Sequence, residues 1–436
     1  MTKQNLIVVR CGSKSLHPHW LKGAEPDFDI LLCPYEDIDA QGLPVLEAPP
    51  AYKWAALHAA LTANPVWRSY DYICFPDDDL LADANRWNTL FAMSRKLGAR
   101  LSGPALTGVS FISHFVTIEN LCFSARATTF VEVMTPCFAR EFLDQALPTF
   151  GLSRAGWGFG LDFLWAAMLS YRDIWTIDAA AVGHTRPIGA ARGGAAELNN
   201  RDLAFALRLG APVALHTLAG WTRDGTWLDL GDSRLAALSQ SGVAYTEHTQ
   251  ARLWAHARHW LPRPAPSLPA DFAARLKAAL DHFYTPSLPV SRGKPARASS
   301  VSPWSWTSDP LLEASAANDG LLSGVCGFHT AKEVNPWWEV DLGTAHRLGG
   351  FAIYNRLDQR ERFTDFDVLV SLDGRSWKGA FARRDSRLFG GADGDPFRCD
   401  FDAAIEARYV RVQLVGFNYL HLDQVEIFCA PLEVAA

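Results

Sequence analysis

The chain has 436 residues, 49% of them hydrophobic and 20% charged, with a net charge of −6. That is the composition of a globular protein that buries real cores, long enough for two or three domains. The acidic balance and the lack of a Lys/Arg-rich run give no footing for nucleic acid, and no stretch offers the roughly 18 uninterrupted apolar residues of a membrane helix.

The first apolar run, Leu6–Val9, is too short for a signal peptide and reads as a strand. The eight cysteines form no C-x-x-C pair and mostly sit in apolar runs, as in a reduced cytoplasmic protein, with peripheral association at the inner face of a membrane left open. Arg10-Cys11-Gly12-Ser13 follows the first strand as a loop, and Phe28–Cys33 reads as a second buried strand leading to Tyr35. Residues Ala51–Leu61 carry Trp54, Leu57 and Leu61 at helical spacing.

Next comes Tyr70–Leu81, an apolar run that ends in three carboxylates. Tyr72–Phe75 reads as a strand, Pro76 stops its ladder, and Asp77, Asp78 and Asp79 fall just past its carboxyl end, where open α/β sheets bind ligands. In an extended chain Asp77 and Asp79 point to one side, which suits a hard divalent ion such as Mg²⁺ or Mn²⁺. A solvated acidic loop is the other reading of the same triplet.

Asn85–Leu97 reads as a helix stopped by Gly98, and Leu101–Pro104, His114–Thr117 and Thr129–Val133 as strands. The glycine-rich loop Gly151–Gly160 runs into a helix from Leu161, with Asp162 in its first turn. Ile174–Ala181 is a strand that leads to His184, a plausible further metal ligand after an Asp cluster. This order points to a doubly wound α/β domain. Ala190–Ala196 reads as a loop, residues 216–232 as a hairpin turning at Asp224-Gly225, and 231–290 as a connector with a helix at 270–283. From Ser291 onward short strands take over (Trp338–Leu342, Gly350–Tyr354, Asp365–Ser371, Arg408–Leu414, Gln424–Phe428), the spacing of an all-β sandwich.

Two resemblances follow. Gly293-Lys-Pro, Ala317-Asn-Asp-Gly320, Trp337-Trp-Glu-Val-Asp-Leu-Gly343, Tyr354-Asn-Arg356, Ser371-Leu-Asp-Gly374, Ala407-Arg-Tyr-Val-Arg-Val412 and Val425-Glu-Ile-Phe428 occur in an order that resembles the discoidin-type domain, also called the coagulation-factor C-type domain. The resemblance implies a jelly-roll sandwich over 291–436 that binds glycan through loops at one end. It also implies a structural Ca²⁺, for which Asp319 and Glu426 match and Thr330 matches less well. Trp304, Trp306, Arg356, Tyr419 and His421 are glycan-contact candidates by their chemistry.

Residues 1–230 resemble nucleotide-sugar-dependent glycosyltransferases of the A-type fold, a Rossmann-like α/β architecture. The resemblance rests on Phe75-Pro-Asp-Asp-Asp-Leu80, Gly156-Trp-Gly158 with Asp162, and Val182-Gly-His184. It implies a metal held by Asp77, Asp79 and His184, with Arg10, Gly12, Tyr35, Lys53 and Asp77 near the nucleotide. Asp162 is then the base of an inverting transfer to an oligo- or polysaccharide acceptor, as in surface polysaccharide synthesis. A glycan-binding protein without catalysis and a glycoside hydrolase with a binding module are the alternatives.

Overall fold

The computed structural model describes residues 3–153, 156–187, 196–245, 259–283, 289–305 and 307–430. Trp306, most of the 190–196 loop and residues 251–258 lie outside the described residues. The chain divides into two compact units, Met1–Pro269 and Ala270–Ala436, so the segment 231–290 is shared between them rather than standing apart.

The first unit is built on a ten-stranded mixed sheet. Its strands are β1 (Asn5–Cys11), β2 (Phe28–Pro34), β3 (Tyr72–Cys74), β4 (Leu80–Leu81), β5 (Leu101–Leu106), β6 (Phe123–Thr128), β7 (Cys137–Ala139), β8 (Ile174–His184), β9 (Thr217–Thr222) and β10 (Trp227–Asp229). They lie in the order β10-β9-β6-β8-β5-β7-β3-β1-β2, with β4 on β8. Among the described strands of this sheet, only β1 with β2, β1 with β3, and β5 with β8 pair in parallel. The doubly wound parallel sheet expected from the element order is therefore corrected to a mixed sheet. The antiparallel β7 lies between β3 and β5, and one strand of opposite sense leaves both neighbours running the same way. The carboxyl ends of β1, β2, β3, β5 and β8 consequently collect on one side.

Helices cover the sheet where the apolar spacing placed them. Lys53–Ala63 buries Trp54, Leu57 and Leu61. Ala84–Leu97 is capped at its start by Asp83, whose side chain accepts from Arg86 N, and stops at Gly98 in the left-handed conformation. Trp54, Phe75, Phe138, Phe150 and Trp165 form one aromatic core, with Trp54 at 4.7 Å from Phe150 and 5.0 Å from Trp165. Two expected strands are absent: residues 115–117 form a 3-10 turn, and the strand sought at 129–133 lies at Phe123–Thr128. The hairpin turning at Asp224-Gly225 forms, joining β9 to β10.

The second unit has a helix at Phe272–Phe283 followed by β structure. The strands are β11 (Ala296–Ala298), β12 (Phe328–His329), β13 (Glu333–Val334), β14 (Trp337–Tyr354), β15 (Asp365–Ser371), β16 (Lys378–Arg384), β17 (Phe397–Leu414), β18 (Phe417–Asn418), β19 (His421–Leu422) and β20 (Gln424–Cys429). A six-stranded sheet runs β11-β14-β17-β15-β16 with β20 on β14, and β12-β19 and β13-β18 form separate pairs. The short strands read at Trp338–Leu342 and Gly350–Tyr354 are two ends of the single strand β14. Register shifts near Asp341 and Leu348 break its alternation. Trp338, Phe351, Phe366, Val412 and Ile427 lie in the core between these layers.

Candidate functional site

The three aspartates lie where the parallel strands end. Arg10 and Asp77 form a parallel bridge that extends β1 beside the acidic run. On the far side, β4 pairs Leu80 with His184, and Thr185 N donates to Asp79 O at 3.2 Å. The two tails thus hold Asp79 and His184 together.

The alternation of an extended chain separates the roles of the three carboxylates. Asp78 turns toward the first loop, where its Oδ2 accepts from Gly12 N at 3.1 Å and from the Tyr35 hydroxyl at 3.1 Å. Its Oδ1 accepts from Arg186 at 2.9 Å. A Cβ at Gly12 would meet the side-chain ends of Tyr35 and Glu36 at 2.5 Å, so any larger residue there would push them aside. Asp77 receives Lys53 Nζ at 2.6 Å, and the same ammonium donates to the carbonyls of Val133 at 3.0 Å and Met134 at 3.1 Å. Lys53 therefore has all three donors engaged.

Asp79 differs from its neighbours. Its Oδ2 faces His184 Nε2 at 3.3 Å and Arg186 Nε at 3.9 Å, while its Oδ1 is buried with no hydrogen-bond partner. His184 Nδ1 lies 2.6 Å from the Phe111 carbonyl, which keeps a proton on Nδ1 and leaves Nε2 to face Asp79, donating to its carboxylate when protonated and open to a metal when not. An orphan carboxylate oxygen beside that nitrogen fits one divalent ion with two protein donors. Among the described residues no group of three or more His, Cys, Asp or Glu converges on one point, so Asp77, bound to Lys53, is not gathered with them.

Arg10 sits apart from any ligand role. It is 7% exposed, and its terminal nitrogens donate to the carbonyls of Cys33, Pro34, Pro49 and Ala51. It ties the 34–51 segment to β1. Arg186, which the sequence reading passed over, is 39% exposed and lies beside both Asp78 and Asp79.

Asp162 is 4% exposed in the first turn of the helix Leu161–Met168, after Gly160 in the left-handed conformation. Burial, reinforced by the nearby Glu132 carboxylate, pushes its pKa up to about 8. Glu132 belongs to the 131–135 stretch whose carbonyls hold Lys53. Its place was not legible, because nothing in Phe130-Val-Glu-Val-Met134 marks the glutamate as facing another carboxylate.

In the second unit, Arg356, Tyr419 and His421 come together around a residue the sequence reading did not single out, His329. β12 and β19 pair His329 with His421, and the His329 ring lies 5.1 Å from Tyr419 and 5.2 Å from His421. The Arg362 guanidinium lies 5.7 Å over the Tyr419 ring. Arg356 donates to Asp358 at 2.7 Å through Nε and to Cys326 Sγ at 3.7 Å through Nη1. His329 Nδ1 meets the Thr330 carbonyl at 2.8 Å, leaving Nε2 as an acceptor. His421 is fully buried and burial lowers its pKa to about 3, so it is neutral. Trp304 is 82% exposed and is not among the described contacts of this cluster.

Asp319 and Glu426, matched to a calcium pair, each face protein groups. Asp319 Oδ1 accepts from Leu321 N at 2.8 Å and Gln424 Nε2 at 2.6 Å. Glu426 accepts from the Tyr354 hydroxyl at 2.9 Å and lies 3.2 Å from His282 Nε2. Thr330 is tied to backbone, donating to Ala331 O at 2.9 Å and accepting from Leu420 N at 2.9 Å.

Residues 295–422 match the F5/8 type C domain model, so the second unit carries a domain of that type. At the level of single proteins, the chain is 29% identical over 133 residues to a Xenopus laevis protein named "Pentraxin fusion protein", covering 28% of this chain and 29% of the relative. It is 30% identical over 131 residues to "Fucolectin-6" of Anguilla japonica, covering 27% of this chain and 64% of the relative. The chain thus spans less than two thirds of either. The solved lectin domain of Lectinolysin, complexed with Lewis B antigen, is 29% identical with a TM-score of 0.26, over 33% of this chain and 97% of that one. Among the described residues no helix is long and apolar enough to cross a membrane.

Proposed function

We propose that the first unit is a metal-dependent glycosyltransferase of the A-type fold, taking a nucleotide-sugar donor, and that the second holds a glycan. The observation that carries the first half is the buried, partnerless Asp79 Oδ1 beside Nε2 of His184, at the carboxyl ends of parallel strands. A Mg²⁺ or Mn²⁺ ion bound there supplies charge neutralisation for a leaving diphosphate. Asp79 and His184 would hold it. Lys53 keeps Asp77 in place, and Arg186 offers phosphate oxygens the cation that Arg10 does not. Asp162 takes the proton of the acceptor hydroxyl, in an inverting transfer.

The glycan reading of the second unit rests on its cluster: an acceptor on His329, guanidinium donors on Arg356 and Arg362, and the Tyr419 ring. Mixed donors and acceptors beside an aromatic face suit a pyranose ring. The eel relative is by its name a fucolectin, and L-fucose is the ligand we place first.

The test is thermal stability of the full chain with UDP, GDP and CMP, each with and without Mn²⁺. A ligand that binds only the folded state raises Tm by mass action. Stabilisation by one nucleotide that needs the metal and disappears in Asp79→Ala supports the transferase. Indifference to every nucleotide removes that reading and leaves a glycan-binding protein or a hydrolase.

A further inference from the structure

Gln424 opens β20 and is 1% exposed. Its side chain enters the turn at 316–321. There Nε2 lies 2.6 Å from Asp319 Oδ1, 2.8 Å from the Ala316 carbonyl oxygen and 3.2 Å from the Leu321 carbonyl oxygen. Its Oε1 accepts from Gly320 N at 3.0 Å, which settles which end of the amide is nitrogen. Asp319 is itself 5% exposed.

Three oxygens, all acceptors and one of them anionic, therefore converge on one buried point. That donor set belongs to a hard cation such as Ca²⁺. The occupant here is an amide nitrogen, whose two hydrogens supply the positive end of a dipole where an ion would supply charge. The second carboxylate that the family resemblance offered is balanced elsewhere. Glu426 Oε2 accepts from Tyr354 Oη at 2.9 Å, and Oε1 lies 3.2 Å from His282 Nε2 and 3.5 Å from Arg292 Nη2. His282 lies in the last turn of a helix, Phe272–Phe283, that belongs to this unit.

We propose that in this domain the Gln424 amide stands in place of the structural calcium ion, so that the second unit folds and keeps its shape without a metal. The residues do not fit the ion: it and the amide nitrogen would need the same space among the same three oxygens. The proposal has a chemical converse. A glutamate at 424 would put two more carboxylate oxygens among the three already there, with no hydrogen to separate them. Gln424→Glu therefore converts the turn into a calcium site.

The experiment is thermal unfolding of the full chain in millimolar CaCl₂ against EGTA. For the unaltered protein the second unit's unfolding transition is expected at the same temperature in the two buffers; that transition raised by calcium overturns the proposal. Gln424→Glu is expected to melt several degrees lower in EGTA and to recover in calcium. A folded Gln424→Glu protein indifferent to calcium also overturns it. If that variant does not fold in either buffer, Gln424→Met carries the test. It removes both donors at similar volume and should lower Tm; a Tm equal to the unaltered protein's would show that the amide holds nothing together.

Discussion

His184 Nε2 lies 3.3 Å from Asp79 Oδ2, a separation that a proton or a cation must bridge. Burial works against a charged imidazole here, but the Asp79 carboxylate and the Phe111 carbonyl outweigh it and hold the His184 pKa above 6.5. The sign follows. Without metal, the stability this pair contributes is present in full below about pH 6.5 and fades as pH rises through the raised pKa. A metal competes with that proton. Mn²⁺ binding in the presence of nucleotide should weaken as pH falls and should release a proton, read by calorimetry in buffers of different ionisation enthalpy. Metal binding that takes up no proton change across this range would contradict the assignment of His184.

Asp162 loses its contribution in the same direction, at higher pH. Its folded pKa of about 8 lies above the ordinary 3.8, so its contribution to stability is complete below about 3.8 and is lost as pH rises through 8. Asp162→Asn removes the ionisable group at little change in shape. The variant should be more stable than the parent at pH 8, by about 1–2 kcal/mol, with a flatter stability profile between pH 4 and pH 8. Transfer activity should fall at least about 100-fold if this carboxylate takes the acceptor proton. In the parent, kcat/KM should rise with pH through a single ionisation near 8. A stabilised variant of full activity would leave Asp162 a structural residue.

Arg126 and Asp178 form a bidentate pair at 2.8 and 2.9 Å, 2% and 0% exposed. Arg126 also donates to the carbonyls of Val116 at 3.1 Å and Ile118 at 2.8 Å, and Asp178 accepts from Asn120 N at 2.8 Å. The pair joins β6 and β8 to the 116–120 segment. Breaking it by Arg126→Met leaves a buried charge and two carbonyls unpaired, and should cost about 3–5 kcal/mol in urea unfolding. The double variant Arg126→Met, Asp178→Leu should recover part of that loss, because no lone charge remains.

These three sites differ in how far the chain order reveals them. The place of the three aspartates at a strand's carboxyl end was legible from the apolar run that precedes them, but Asp77, expected beside Asp79, is held by Lys53 instead. Their neighbour Asp78 was legible only as the residue facing the other way; its clamp on Gly12 spans 66 positions, and no local pattern encodes that. Arg10 was expected near the nucleotide because it follows the first strand. Its partners are carbonyls up to 41 positions away. Strand β6, Phe-Ser-Ala-Arg-Ala-Thr, has little β propensity and buries its arginine, so the strand was expected just after it, from Thr129. At the other end of the chain, a carboxylate on the last strand drew attention to Glu426 over Gln424. Only packing shows that the amide, two residues earlier, reaches Asp319.

The glycan cluster gives the last prediction, and it is one of retention as well as loss. Burial, with Arg356 and Arg362 nearby, lowers the pKa of His329 below 6.5, although the Thr330 carbonyl pulls it upward. Its neutral form, with Nε2 able to accept from a sugar hydroxyl, therefore persists below the pH at which an ordinary histidine charges. L-fucose binding should hold its affinity between pH 7 and pH 6 and weaken only at lower pH. His329→Ala should cost about 10–100-fold in Kd, the value of one hydrogen bond within a charged surround. Arg362→Lys keeps the charge but loses the planar stacking over Tyr419, and should cost less than Arg362→Ala. Calorimetric titration of the full chain with L-fucose and with D-galactose reads all three. Equal, undiminished binding in His329→Ala would move the sugar site away from this cluster, and Trp304, 82% exposed, would be the next side chain to replace.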